Sequence, residues 1–212
     1  MSRMSLPEIL AILIQNNALI VHCAGMAKGV GDATTASLGY LERLEHASRN
    51  KFELSCSTIV PGDVCSFERM NYTGKVGLVL RPNTVVSITF TSPNDAGSQI
   101  DPTRPGRRTH NCGPVSLQSI EAAISGRALD RYNEFGLHQF SVVGVFVDPP
   151  IQYSTDIGFN DVSVDEVAQQ FPDLALYCLR GGLLHTLCKE RDRWNVGQQV
   201  SAVDVYSGIA CQ

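Results

Sequence analysis

The sequence predicts a single soluble α+β domain spanning residues 1–212, and three observations lead there. A chain of 212 residues can bury most of the surface that its unfolded form exposes. Hydrophobic residues at 43% and charged residues at 18% are the balance of a globular protein and too apolar for disorder. About six strand-like and four or five helix-like segments follow one another in mixed order, with no internal repeat or low-complexity tract, which is α+β and not a regular βαβ series.

The elements follow in chain order. Ser5-Leu6-Pro7-Glu8 has the S-x-x-E spacing of a capping box with proline in the first turn, so an apolar helix is expected to about Asn16. Ala18 to Ala24 reads as a buried strand. From Ala36 to Arg49, Leu38, Leu41 and Leu44 recur at helical spacing with charged residues on the other faces, an amphipathic helix that packs on the sheet. Phe52 to Val60 reads as a strand with Ser55 and Ser57 on one face and Leu54, Cys56 and Thr58 on the other. Lys75 to Arg81 and Thr84 to Thr91 are strands expected to form a hairpin across Pro82-Asn83.

Ser92 to Gly113, rich in Pro, Gly, Asp and Ser, is the longest candidate loop. Pro114 is expected to open a helix that Gly126 closes, and Phe140 to Val147 (FSVVGVFV) is the strongest strand signal in the chain. A second capping box at Ser163-Val164-Asp165-Glu166 starts a helix that Pro172 interrupts. Leu174 to Arg191 is expected to continue helically across a weak point at Gly181-Gly182, with Val200 to Tyr206 as the final strand.

Composition also narrows the function. A net charge of -4 and a pI near 5.7 lack the basic surplus of general nucleic-acid binders, and the local run Arg104 to Arg108 (RPGRR) reads as a turn. Seven cysteines at irregular spacing with no CxxC pair indicate neither a zinc site nor a disulfide framework, so most read as buried thiols in a reducing compartment. The N-terminus has no conventional signal-peptide pattern, so the expected location is the cytoplasm, or a target cell reached without one. Lys28-Gly29-Val30-Gly31 lacks the spacing of a phosphate-binding loop.

One constellation joins His22, in a strand, to Ser55 and Ser57 on one strand face and to Glu134, in Arg131-Tyr132-Asn133-Glu134 just ahead of an apolar strand. Breaking a nicotinamide glycosidic bond needs donors that fix the ribose and carboxamide, a strand-face platform, and a carboxylate near the ribose hydroxyls. The carboxylate steadies the developing oxocarbenium charge and activates the acceptor. Each role has a candidate here. The bland alternatives are a core histidine, an exposed polar strand face and a loop carboxylate.

The order His22, then Leu54-Ser55-Cys56-Ser57, then Tyr132-Asn133-Glu134 and an apolar strand resembles the ADP-ribosyltransferase superfamily. Within it, Phe52 to Ser98, with SCSTIVPGD, GKVGLVL and SPNDAGS, is similar to the toxins that modify thymidine in single-stranded DNA. The resemblance covers residues 18 to 148. It implies a split, strongly twisted two-sheet core with flanking helices and NAD as substrate. It makes Glu134 catalytic and gives NAD contacts to His22, Ser55, Ser57 and Tyr132. It implies a toxin or effector acting on a macromolecular acceptor, nucleic acid or protein, with room for an antitoxin or immunity partner, no metal and no membrane. Tyr132 stands where the family usually has the Glu or Gln associated with arginine or asparagine acceptors, so the acceptor stays open.

A second constellation is Cys112 in His110-Asn111-Cys112-Gly113-Pro114, ahead of a helix whose dipole would stabilise its thiolate. With His138 and Asp148, or with His185 as the second choice of base, it would make a papain-like cysteine hydrolase or glutamine deamidase. A third reading is a non-enzymatic interaction module using Trp194 and the C-terminal helices.

Overall fold

A computed structural model describes residues 4–23, 40–49, 53–63, 76–93, 115–130, 133–147, 152–155, 158–161 and 163–208. The architecture is mixed α+β; among the described residues it is built on a nine-stranded, mostly antiparallel open sheet with five helices and a separate two-stranded ribbon. Among the described residues no helix is long and apolar enough to cross a membrane.

The first helix, α1 (Leu6–Gln15), starts as its capping box requires, the Glu8 carboxylate accepting from the Ser5 N–H at 2.8 Å and hydroxyl at 2.7 Å. Its Ile9 and Leu13 are wholly withdrawn from water, which contributes about 1.5–3 kcal/mol each. Strand β1 (Leu19–Cys23), helix α2 (Tyr40–Arg49) and strand β2 (Leu54–Ile59) follow as expected, with Leu44 of α2 in the core. Strands β3 (Val76–Pro82) and β4 (Ile88–Ser92) also exist, but the expected hairpin between them does not form. β3 lies between β1 and a later strand, β6 (Phe140–Val147), while β4 pairs with β5 (Glu134–Leu137) at the far edge of the sheet. The reason lies in residues 83–87. The Ser87 hydroxyl accepts from the Asn83 and Thr84 N–H groups and donates to the Gln139 carbonyl at 2.7 Å. The His138 N–H in turn donates to the Ser87 carbonyl at 2.8 Å. The β3–β4 and β5–β6 connections thus brace one another as a corner, and Gln139 takes a left-handed φ of 53° there.

Helix α3 (Leu117–Asp130) begins with reciprocal bonds between Ser116 and Ser119 and runs on through Gly126, which does not close it. Burial of Ile120, Ala123 and Ile124 outweighs the roughly 1 kcal/mol that an interior glycine costs. After β6 come the ribbon β7 (Gln152–Thr155) and β8 (Gly158–Asp161), absent from the sequence reading, and helix α4 (Val164–Gln170) with both capping-box bonds made.

The C-terminal third departs most from expectation. Leu174 to Arg191 is not helical: β9 (Leu176–Arg180) and β10 (Leu183–Glu190) form an antiparallel hairpin turned by Gly181 and Gly182, at φ 59° and 78°. Two successive positive φ values are what a two-residue hairpin of this hand demands. β11 (Arg193–Val200) extends the sheet, and the stretch expected to be the last strand is helix α5 (Ala202–Tyr206), whose Ser201 N–H and hydroxyl bond the Asp204 carboxylate at 2.7 Å each. The strand order is β11-β10-β9-β6-β3-β1-β2-β5-β4, with β6 and β9 the parallel pair. Cys56 and Cys178 are buried thiols and Cys23 a half-buried one. Cys188 is disulfide-bonded.

Candidate functional site

The strand order sets β1, β2 and β5 side by side, and these carry His22, Ser55 with Ser57, and Glu134. β1 and β2 pair from Leu19–Ile59 to Val21–Ser57. Beyond that point β1 stays with β3, through His22–Leu78 and Cys23–Gly77, whereas β2 stays with β5, through Cys56–Phe135 back to Leu54–Leu137. The two strands part at this point, and a side chain takes over from the ladder: His22 Nδ1 lies 2.8 Å from the Ser55 carbonyl oxygen.

A carbonyl oxygen only accepts, so Nδ1 carries the proton, and Nε2 of the neutral ring is left as an acceptor. Burial holds the His22 pKa below its ordinary value, partly opposed by the bond to Ser55, which keeps the ring in that neutral form.

On the other side of β2 the Ser55 hydroxyl donates to Glu134 Oε1 at 2.7 Å. Ser55 is exposed, whereas Glu134 keeps only 1% of its surface, so the carboxylate lies directly beneath an accessible serine. Burying a carboxylate is costly unless hydrogen bonds compensate, and the Ser55 hydroxyl supplies one such bond. The burial pattern of β2 bears out the expected faces: Leu54, Cys56 and Thr58 point inward, Ser55 and Ser57 to the more open side. The Cys56 thiol is pushed well up, by burial first and then by Cys23, Glu134 and Glu53, so it stays protonated and unreactive here.

Asn133, to which the sequence reading assigned no role, completes the arrangement. Its Oδ1 accepts from the Ser57 hydroxyl at 2.8 Å and the Thr58 N–H at 2.9 Å. Its Nδ2 donates to Thr58 Oγ1 at 2.6 Å and to the Ala123 carbonyl of α3 at 3.0 Å. Ser57 therefore has its hydroxyl committed within the protein, and Ser55 is the serine of the pair that reaches the carboxylate. The available signal was an amide at the mouth of a strand, but its β2 partners lie 75 and 76 residues away along the chain.

Tyr132, Cys112 and Asp148 lie outside the described residues, as do Arg104 to Arg108 and Lys28 to Gly31. His138 sits in the braced corner, and His185 on β10 has Nδ1 3.4 Å from the Gly197 carbonyl, so neither joins the β1, β2 and β5 group. Among the described residues no group of three His, Cys, Asp or Glu side chains could hold a metal ion. The described part of the C-terminal third offers strands and two short helices as a surface, and Leu174 to Arg191, expected to be helical, is not; Trp194 is bonded through Nε1 to Asp165 at 3.0 Å. No protein-family model, curated protein or solved structure matches the chain.

Proposed function

We propose that the chain is an ADP-ribosyltransferase of the toxin or effector kind, which cleaves NAD and transfers ADP-ribose to a macromolecular acceptor, nucleic acid or protein. The observation that carries this reading is the buried Glu134 carboxylate joined to Ser55, which is joined in turn to His22 where β1 and β2 part. The specific two-sheet transferase fold belongs to the same proposal, supported by that parting and by the braced corner.

In the reaction the bond between the nicotinamide nitrogen and the ribose carbon breaks, and neutral nicotinamide leaves with the bonding pair. The ribose takes up oxocarbenium character. The Glu134 carboxylate beneath Ser55 faces that positive charge, and at about 4 Å in an effective dielectric of 20 the attraction between two unit charges is about 4 kcal/mol. The acceptor's nucleophile then bonds to the same carbon and its proton passes to Glu134, so the products are ADP-ribosylated acceptor, nicotinamide and a proton. His22 Nε2 accepts from a ribose hydroxyl, and Ser55 keeps the carboxylate oriented.

The test is NAD consumption by the purified protein and by Glu134→Gln, with labelled NAD offered beside cell extract and single-stranded DNA. Turnover by the native chain that the variant loses supports the reading, and the labelled species identifies the acceptor. A native chain that consumes no NAD in any of these mixtures overturns it.

A further inference from the structure

The β2–β5 ladder ends at Cys56–Phe135, one residue short of Glu134, so the backbone of Glu134 is held by pairing with Ser92 of β4 but not by pairing on the β2 side, where Ser55 lies. The next residue back, Asn133, is wholly buried and clamps the start of β5 through its side chain, binding Ser57 and Thr58 of β2 and Ala123 of α3. An amide has two acceptor positions on Oδ1 and two N–H donors on Nδ2, and this one uses them all. Four bonds to two different elements leave the side chain a single orientation, and the peptide that it anchors is the one leading into Glu134.

We propose that Asn133 is a positioning residue for Glu134: the amide clamp holds the carboxylate at bonding distance from Ser55. On the functional reading above, it thereby governs the rate of glycosidic cleavage and not the affinity for NAD. A displacement on the order of 1 Å in a charge-stabilising group is enough to cost about 100-fold in rate. The ligand contact proposed for His22 lies on β1, which no arm of the clamp reaches.

Two variants separate positioning from loss of fold. Asn133→Ala removes the clamp, and Thr58→Val, close to isosteric, removes one of its arms. Steady-state NAD hydrolysis should show kcat lowered about 100-fold in the first and about 10-fold in the second, with KM within twofold of native. A folded variant whose kcat is native, or one that changes KM with kcat intact, overturns the proposal while leaving the assigned function standing.

A native chain without NAD turnover overturns the function, and the clamp is then read from the 13C carboxyl resonance of Glu134, assigned by its loss in Glu134→Gln. In Thr58→Val and Asn133→Ala that resonance should move from its native position toward the one it has in Ser55→Ala. A resonance that stays at the native position in both folded variants overturns the proposal.

Discussion

The junction of β1, β2 and β5 and the outer hairpin of β10 and β11 each rest on a short charge-assisted bond, and the two bonds have the same length. Ser55 reaches Glu134 at 2.7 Å, and Lys189 reaches Asp165 at 2.7 Å beneath the Trp194 ring. Their surroundings differ. Glu134 and Asn133 keep 1% and 0% of their surface, whereas the Lys189 and Asp165 side chains keep 44% and 52%. Water replaces whatever is removed from the outer pair, but nothing replaces a partner lost in the junction, where an orphaned polar group carries its full desolvation cost. Distance alone therefore does not rank these bonds; burial does.

Four measurements would break or sharpen this contrast. The largest effect is expected from Glu134→Gln, which keeps an oxygen to accept from Ser55 but loses the charge. NAD turnover should fall about 1,000-fold with the fold retained, and a native rate in that variant would remove the junction from the chemistry.

Next come two glycines. A Cβ on Gly136, opposite Ser55 in β5, would lie 2.3 Å from Thr89 Oγ1 and 2.4 Å from the Phe90 ring. Gly136→Ala should cost about 1–3 kcal/mol in urea unfolding. Gly181, in the β9–β10 turn, has open space around its Cα and a φ of +59°, so Gly181→Ala should cost about 1 kcal/mol and Gly181→Asn less. Equal penalties at the two positions would contradict the contrast in packing.

The third effect is pH-dependent. Burial lowers the His22 pKa, so the unfolded chain takes up a proton at a pH where the folded one does not. The associated stability is complete above the unfolded value of about 6.5 and is lost as pH falls below it through the folded pKa. Urea midpoints should therefore drop more steeply from pH 7 to pH 5 in the native chain than in His22→Gln, and parallel slopes would remove His22 from the linkage.

The smallest effect belongs to the outer hairpin. Asp165 has its pKa lowered, chiefly by the bond from Lys189 and then by that from Trp194. Its exposure leaves Asp165→Asn with an unchanged midpoint, and a clear loss would show that the outer pair is not replaced by water.

How far the fold was legible depended on whether the deciding contacts were close in sequence. Ser5 with Glu8 and Ser163 with Glu166 meet within one helical turn, and both predicted helix starts are where the structure has them. FSVVGVFV is long and β-branched enough to be a strand in any context, and β6 spans those residues. Leu174 to Arg191 failed because Gly181-Gly182 can weaken a helix or turn a hairpin, and cross-strand partners such as Leu184 with Leu179 settle which. Pro82-Asn83 failed similarly, since a turn signal does not say which strands will pair after it. Ser201 to Asp204 was a cap with too few residues behind it to stand out.

By itself the sequence determined the class of the domain, the helix starts at Ser5 and Ser163, the alternating faces of β2, and the set His22, Ser55, Ser57 and Glu134 as groups worth bringing together. Those follow from periodicity, capping chemistry and residue type, which act over a few residues. Only the tertiary structure decided that β1 and β2 part beside His22, that Ser55 and not Ser57 meets the carboxylate, and that Asn133 clamps the start of β5. Each of those is a contact between elements far apart in the chain, set by which strands become neighbours and by the need of every buried polar group for a partner.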